Sequence, residues 1–400
     1  MRLSVVQVLM AAALLAAPPA LAATPPAQPK SGPGGADYSA TDVVKRVVGT
    51  ASAATYVFHG AGAPATPRPV VVFMHAWGAV NPQIYGGWIE HLARKGNLVL
   101  FPKYQEVNRI RPADATEFAA KLVKDAFTAL ASDEQAKPDP GKVAVLGHLA
   151  GAAVAVNLAA LAKEHDLPVP KLIFAIMPGG IASEPNGRGV VLADLAKIDA
   201  GTMLVTLIGD REAAPSDRAA RRILRETTSI PPDRKLFVRA LSDSHGFPSL
   251  SATLSSPGAV KAAYDAAALK IPPDPPRDPK APRERWRWTA DMALSGEQTV
   301  LVNQLNIATT DSLDYFAYWK TFDMAFAAAL AGKTGESLRD DDKFTDMGRW
   351  SDGWPVKRLY AETPRAEAGA PAQRREVSPA MLPVPSKRRP EPQQRRRQQP

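Results

Sequence analysis

Residues 142–151 read Lys-Val-Ala-Val-Leu-Gly-His-Leu-Ala-Gly. A β-branched apolar run ends at Gly147, and Gly151 opens a stretch of small residues. Such a passage predicts a strand at 142–146, a turn too tight for ordinary side chains, and a helix from about 151 to 164. Similar apolar runs at 69–74, 97–102, 171–176, 202–208 and 235–240 are the kind buried on both faces of a sheet. Between them lie segments of helical spacing: Tyr85–Lys95, Asp114–Ser132 and an arginine-rich stretch at 215–227. Strands that alternate with helices predict an α/β fold, a mostly parallel sheet with helices on both faces.

The ends of the chain have a different character. Arg2, the apolar run Leu3–Ala17 and the small residues Ala20-Leu21-Ala22-Ala23 have the layout of a secretory leader, expected at 1–23. Export to the periplasm or the extracellular space follows from it. The apolar run is too short to span a bilayer comfortably, and no later segment is apolar enough. The chain has no cysteine, which excludes disulfides and a lipid-bearing cysteine. Residues 24–37, rich in Pro, Gly and Ala, are expected to be a disordered linker. The stretch 362–400 carries nine Lys/Arg against four Glu. This surplus of five in a net charge of +9 leaves +4 for the rest of the chain, so the basicity belongs to a tail and not to a nucleic-acid-binding domain. The tail is expected to be disordered, with an anionic envelope surface as its conceivable partner. The abundance of Ala, Pro and Arg fits a GC-rich bacterial source.

The body between these ends, 38–361, is expected to form one domain. It includes a proline-rich insertion at 271–285 and a C-terminal helical and cap segment at 286–361. Within the latter, Asp311–Ala331 predicts a helix whose aromatic residues pack on the sheet, and 346–355 reads as an ordered, turn-rich cap.

Acidic and imidazole groups fall where such a sheet places its ligands, just past the carboxyl ends of strands. Strand 202–208 runs into Gly209-Asp210-Arg211-Glu212, and strand 235–240 into Leu241-Ser242-Asp243-Ser244-His245. With the Gly147–Gly151 turn, this order resembles the α/β-hydrolase superfamily, in particular its exported esterase, lipase and cutinase-like members. The resemblance implies an α/β-hydrolase fold over roughly residues 55–330 and carboxylic-ester chemistry. It implies the nucleophile at Leu149, the general base at His245, and the orienting acid at Glu212, with Asp210 as its rival. It also implies an oxyanion hole from the backbone N–H groups of Ala150 and Trp77, and a cleft lined by Trp77 and Tyr85. Ala76 stands where many relatives have glycine.

The departure that matters is Leu149. Acyl transfer needs a lone pair activated by a base, and leucine has none. Loss of a triad member leaves roughly 10³–10⁴-fold catalysis from binding and the oxyanion hole, and a leucine side chain fills the space in which a substrate carbonyl would sit. The expected function is therefore an impaired or inactive esterase that binds a small-molecule or lipid-like ester. The alternatives are a serine-independent His/acid enzyme, such as a lyase or cofactor-free oxygenase, and an interaction protein tethered through its tail. His75 and His148 are expected to be structural. No cofactor fingerprint or metal-ligand spacing occurs.

Overall fold

Alternate residues of one strand feed two different cores. Val71 and Phe73 point into a cluster with Tyr85, Trp88, Phe101 and Phe174. Val70, Val72 and Met74 point into another with Leu98, Leu122, Val145 and Val154. This is the period-two pattern of a strand covered on both faces. The computed structural model describes residues 22–62, 67–106, 109–184, 187–211, 214–276, 287–294 and 298–364.

The strands are β1 (Val43–Val48), β2 (Thr55–Gly60), β3 (Arg68–Met74), β4 (Leu98–Pro102), β5 (Pro138–His148), β6 (Leu172–Ile176), β7 (Met203–Gly209), β8 (Lys235–Ala240) and β9 (Tyr360–Glu362). They form one sheet in the order β1-β2-β4-β3-β5-β6-β7-β8-β9. From β4 through β8 every pairing is parallel. The edges β1–β2, β2–β4 and β8–β9 are antiparallel. Register is fixed through the centre by pairs such as Leu146 with Phe73 on one side and Phe174 on the other. The six apolar runs are all strands. β1, β2 and β9 are additional: β1 is a half-buried edge interrupted by Lys45 and Arg46, and β9 has only three residues.

The longer helices are α1 (Gly86–Arg94), α2 (Ala115–Leu130), α3 (Ala150–Ala160), α4 (Ala214–Glu226), α5 (Gln298–Asn306) and α6 (Lys320–Leu330). α1 and α6 cover the Phe73 face, where Phe322 meets Phe174 at 5.5 Å and Trp88 at 6.4 Å between ring centroids. α2 and α3 cover the opposite face, and α4 covers it beneath β7 and β8. The aromatic helix packs on the sheet as its composition implies, with one difference. Its first part, Asp314–Trp319, is a π-helical turn that runs directly into α6.

The expectation of a disordered linker at 24–37 is overturned. Thr24 donates to Ser351 Oγ and accepts from Ser351 N–H (2.9 and 3.0 Å). Pro26 O accepts from Ser312 Oγ (2.5 Å), and Gly34 N–H donates to Asp323 Oδ2 (2.8 Å). Proline and glycine leave this segment without regular structure, yet its backbone groups find partners on loops and helices far along the chain. The proline-rich insertion is described over 271–276, where Pro272 O accepts from Ala51 N–H and Asp274 from Ser52. Its remainder, residues 1–21 of the leader and 365–400 of the tail lie outside the described residues.

The turn after β5 depends on the absence of a side chain at Gly151. A Cβ there would lie 2.2 Å from Met74 O and 2.4 Å from His75 O, both backbone atoms at the end of β3. Gly151→Ala is expected to cost at least about 3 kcal/mol, read as a lower urea midpoint. Gly141→Ala, where a Cβ would meet only the Asp139 side chain, is expected to leave the midpoint within about 0.5 kcal/mol. Equal midpoints for the two variants would contradict this account of the turn.

Candidate active site

β5 delivers its last residue, His148, into the sheet edge, and the chain reverses at Leu149 to start α3. Leu149 has φ 54° and ψ −119°. A side-chain-bearing residue in that conformation stores on the order of 1–3 kcal/mol and persists only where its surroundings fix it. Three backbone bonds do so. Leu149 N–H donates to Ile176 O (3.0 Å), and Leu149 O accepts from Ala152 N–H (3.0 Å) and Gly179 N–H (3.2 Å). A Cβ on Gly147 would meet the backbone of Gly151 at 2.3 Å, so the turn closes only over glycine. This is the geometry of a nucleophile elbow. The side chain it presents is an isobutyl group, 8% exposed, that belongs to the apolar core.

Ala150 opens α3, so its N–H lies in the first helical turn, whose donors have no partner within the helix. The loop after β3, residues 75–79, is held from beneath. Ala76 N–H donates to Tyr85 OH (3.2 Å), and Gly78 N–H to Gln105 Oε1 (2.5 Å). Tyr85 OH in turn lies 2.8 Å from His148 Nδ1, and His148 Nε2 lies 2.9 Å from Leu254 O. Because Leu254 O can only accept, Nε2 carries the hydrogen, and Nδ1 accepts from the tyrosine. Two expected cleft residues are therefore corrected. Tyr85 is fully buried and Trp77 is 5% exposed. The turn Pro82–Tyr85 aims the phenol inward, where it braces the loop and cannot line a cleft. Gln105, which the sequence reading did not single out, fixes the same loop.

Burial makes both loop histidines neutral. His75 is stacked between Phe101 and Tyr104 (5.2 and 4.3 Å between centroids), and its pKa falls to about 4. That of His148 falls to about 3, again through burial. Both are structural, as expected.

The acid and base positions do not meet. Asp210 directly follows β7, and its carboxylate accepts from Ser242 N–H (3.0 Å) and Ser242 Oγ (2.5 Å). The loop after β8 thus offers the acid a serine hydroxyl. His245, three residues on, turns away. Its Nε2 lies 2.7 Å from Asp352 Oδ2, and its ring stacks on Trp354 at 5.6 Å. The backbone of the neighbouring Phe247 donates to Ala23 O. Among the described residues, no hydrogen bond, ion pair or ring contact joins His245 to Asp210. The structure thus pairs His245 with Asp352, an acid that no strand-end motif points to, and not with Asp210. Glu212 lies outside the described residues.

The elbow is also covered. Leu294 packs on Gly180 beside Ala150, and Val302 of α5 packs on Gly78 of the β3 loop. Leu294 is buried among the residues that line Trp77 and Ala150.

This sheet, with a strained strand-to-helix turn after its fifth strand and an acid after its seventh, is the α/β-hydrolase fold. A family model, Chlorophyllase, matches residues 52–205, which is less than half of the chain but includes the elbow. Asp210 and His245 lie beyond the matched segment. No curated protein matches the chain. Among solved structures, carboxyl esterase 2 of the fungus Tuber melanosporum is similar at 19% identity and TM-score 0.39, over 60% of this chain and 89% of that one. An esterase of Rhizomucor miehei is similar at 15% identity and TM-score 0.39, over 51% and 77%. A bacterial heroin esterase is similar at 16% identity and TM-score 0.38, over 49% and 75%.

The His148 network has a pH consequence. Its folded pKa lies below the unfolded value near 6.5, so the unfolded chain takes up a proton that the folded one refuses. Its contribution to stability is therefore lost as pH falls from about 6.5 toward about 3. His148→Gln cannot take up that proton. The stability advantage of the native chain over this variant should shrink by about 2 kcal/mol between pH 7.5 and pH 5, measured by urea unfolding. An unchanged gap would show that His148 is protonated in the fold.

Proposed function

We propose that this protein is an exported α/β-hydrolase-fold protein of carboxylic-ester hydrolase descent that binds a small-molecule or lipid-like ester without turning it over by acyl transfer. The observation that carries the reading is Leu149, an apolar side chain held at the strained position that serves a nucleophile in this fold. Two further features support it. Asp210 is occupied by Ser242 and not by an imidazole, and Leu294 and Val302 close over the elbow. On this reading a serine at 149 alone does not restore the site, because His245 is engaged by Asp352 and Asp210 by Ser242, leaving no acid-oriented base to take its proton.

A second reading, proton transfer without a serine, rests on one observation, the His245–Asp352 pair. The same assay separates the two. With p-nitrophenyl esters from acetate to palmitate, the native chain and Leu149→Ser are both expected to show no saturable turnover. Saturable turnover by the native chain that disappears in His245→Ala would overturn the silent reading in favour of the second. Saturable turnover gained by Leu149→Ser alone would show that the base is in reach.

Export is part of the proposal, and the basic tail is read as a tether to an anionic envelope surface. The contact of Ala23 O with Phe247 N–H (2.8 Å) supports a leader that ends after Ala22, one residue earlier than the small-residue run alone suggests. N-terminal sequencing of the exported protein is expected to begin at Ala23. A start at Thr24 or beyond would contradict that boundary.

A further inference from the structure

Past the loop that carries His245, the chain reads Ser249-Leu250-Ser251-Ala252-Thr253-Leu254-Ser255. The alternation is realised in space. Leu250 and Ala252 are buried (2% and 0% exposed), while Ser249, Ser251, Thr253 and Ser255 line one wall of a cleft of about 370 Å³. The inward residues anchor the segment across the carboxyl edge of the sheet. Leu250 pairs with Asp243, Ala252 O accepts from Arg211 N–H, and Leu254 O accepts from His148. The segment is therefore an extended strap with no sheet partner on its outer side, and it presents a hydroxyl at every second residue.

The opposite wall comes from the end of α5 and the chain that follows it, with Gln304, Ile307, Thr309 and Asp311. Ile307 is 78% exposed, and with Ala308 it gives this wall an apolar surface beside the hydroxyls. Asp311 is fixed by its neighbours, since its Oδ1 accepts from Leu313 N–H (2.7 Å) and its own N–H donates to buried Asp314 (2.9 Å). Tyr318 OH lies 2.5 Å from Ser256 Oγ, which donates to Thr253 O and so receives the tyrosine's hydrogen. Among the described residues, the side chains of Ser249, Ser251, Gln304 and Thr309 have no hydrogen-bond partner. Among the described residues, no lysine or arginine lines the cleft.

We propose that this cleft is a binding site for a neutral polyhydroxylated ligand of the saccharide class. Hydroxyls and an amide both donate and accept, as vicinal sugar hydroxyls do. A positioned carboxylate accepts from two neighbouring hydroxyls, and Ile307 offers an apolar surface to the C–H face of a sugar ring. The volume lies within the range of small-molecule sites. The lack of a cationic side chain among the described lining residues disfavours phosphorylated or carboxylate ligands, whose charge would face Asp311 unpaired. The inference does not rest on the elbow reading, because no residue that lines the cleft belongs to the elbow.

The test is calorimetric titration of the exported full-length protein with maltose, cellobiose and glucose, with choline and glucose 6-phosphate as charged comparators. Saturable binding of a neutral saccharide is expected, with Kd below about 1 mM. It should weaken roughly tenfold or more in Asp311→Asn, which keeps the acceptor for Leu313 N–H, and in Ser251→Val. Gln304→Leu, on the exposed face of α5, is a second probe should Ser251→Val fail to fold. The proposal is overturned by the absence of saturable binding of all three sugars up to about 20 mM, by binding that these variants leave unchanged, or by preferential binding of choline or glucose 6-phosphate.

Discussion

The backbone reversal at Leu149 is the constraint around which the rest of the molecule is arranged. It needs two glycines without side chains, one against the end of β3 and one against the start of α3. It also needs the β6 carbonyl of Ile176 and the N–H of Gly179 to hold a residue at φ 54°. Those requirements fix β3, β5 and β6 in register and set the angle at which α3 leaves the sheet. A strained turn of this kind is ordinarily tolerated for the reactive atom it exposes. Here the strain is kept and the atom is a methyl carbon. The turn is also the junction at which two cores meet.

The polar groups near the ends of β5, β7 and β8 are each paired locally. Asp210 holds Ser242, which links the ends of β7 and β8. His245 has joined Asp352 and Trp354 in a surface cluster that also receives Ala23. His148 and Tyr85 form a neutral, buried chain that fastens the β3 loop to the strap at Leu254. Each group is satisfied by a local bond. Polar groups buried or half-buried at a sheet edge must be paired whether or not they do chemistry.

The parts of this arrangement that were legible in the sequence are the local ones. Apolar runs such as 69–74 and 202–208 are strands because a sheet covered on both faces admits little else, and the elbow is written in five consecutive residues. What depends on distant partners was not legible. β1 carries Lys45 and Arg46 because it is an edge, which blurs its apolar pattern. Tyr85 stands beside the expected cleft in sequence, but one 3₁₀ turn aims it into the core. His245 meets Asp352, 107 residues away, and no spacing rule anticipates that. Residues 24–37 have the composition of a linker, and their order comes from Ser312, Asp323 and Ser351. The serine ladder at 249–255 obeys the strand period, yet Thr253 is its one β-branched residue and its pairing is a single bridge, Leu250 with Asp243.

The central claim is that this fold retains the elbow and not the nucleophile. Labelling of the folded protein with a fluorophosphonate, followed by peptide mapping, tests it directly. The account predicts no stoichiometric adduct on the native chain, because Leu149 has no oxygen and Ser242 is held by Asp210. A stoichiometric adduct on Ser242 or on a serine of the 249–256 strap would contradict it, since the chain would then carry an activated nucleophile elsewhere on the sheet edge.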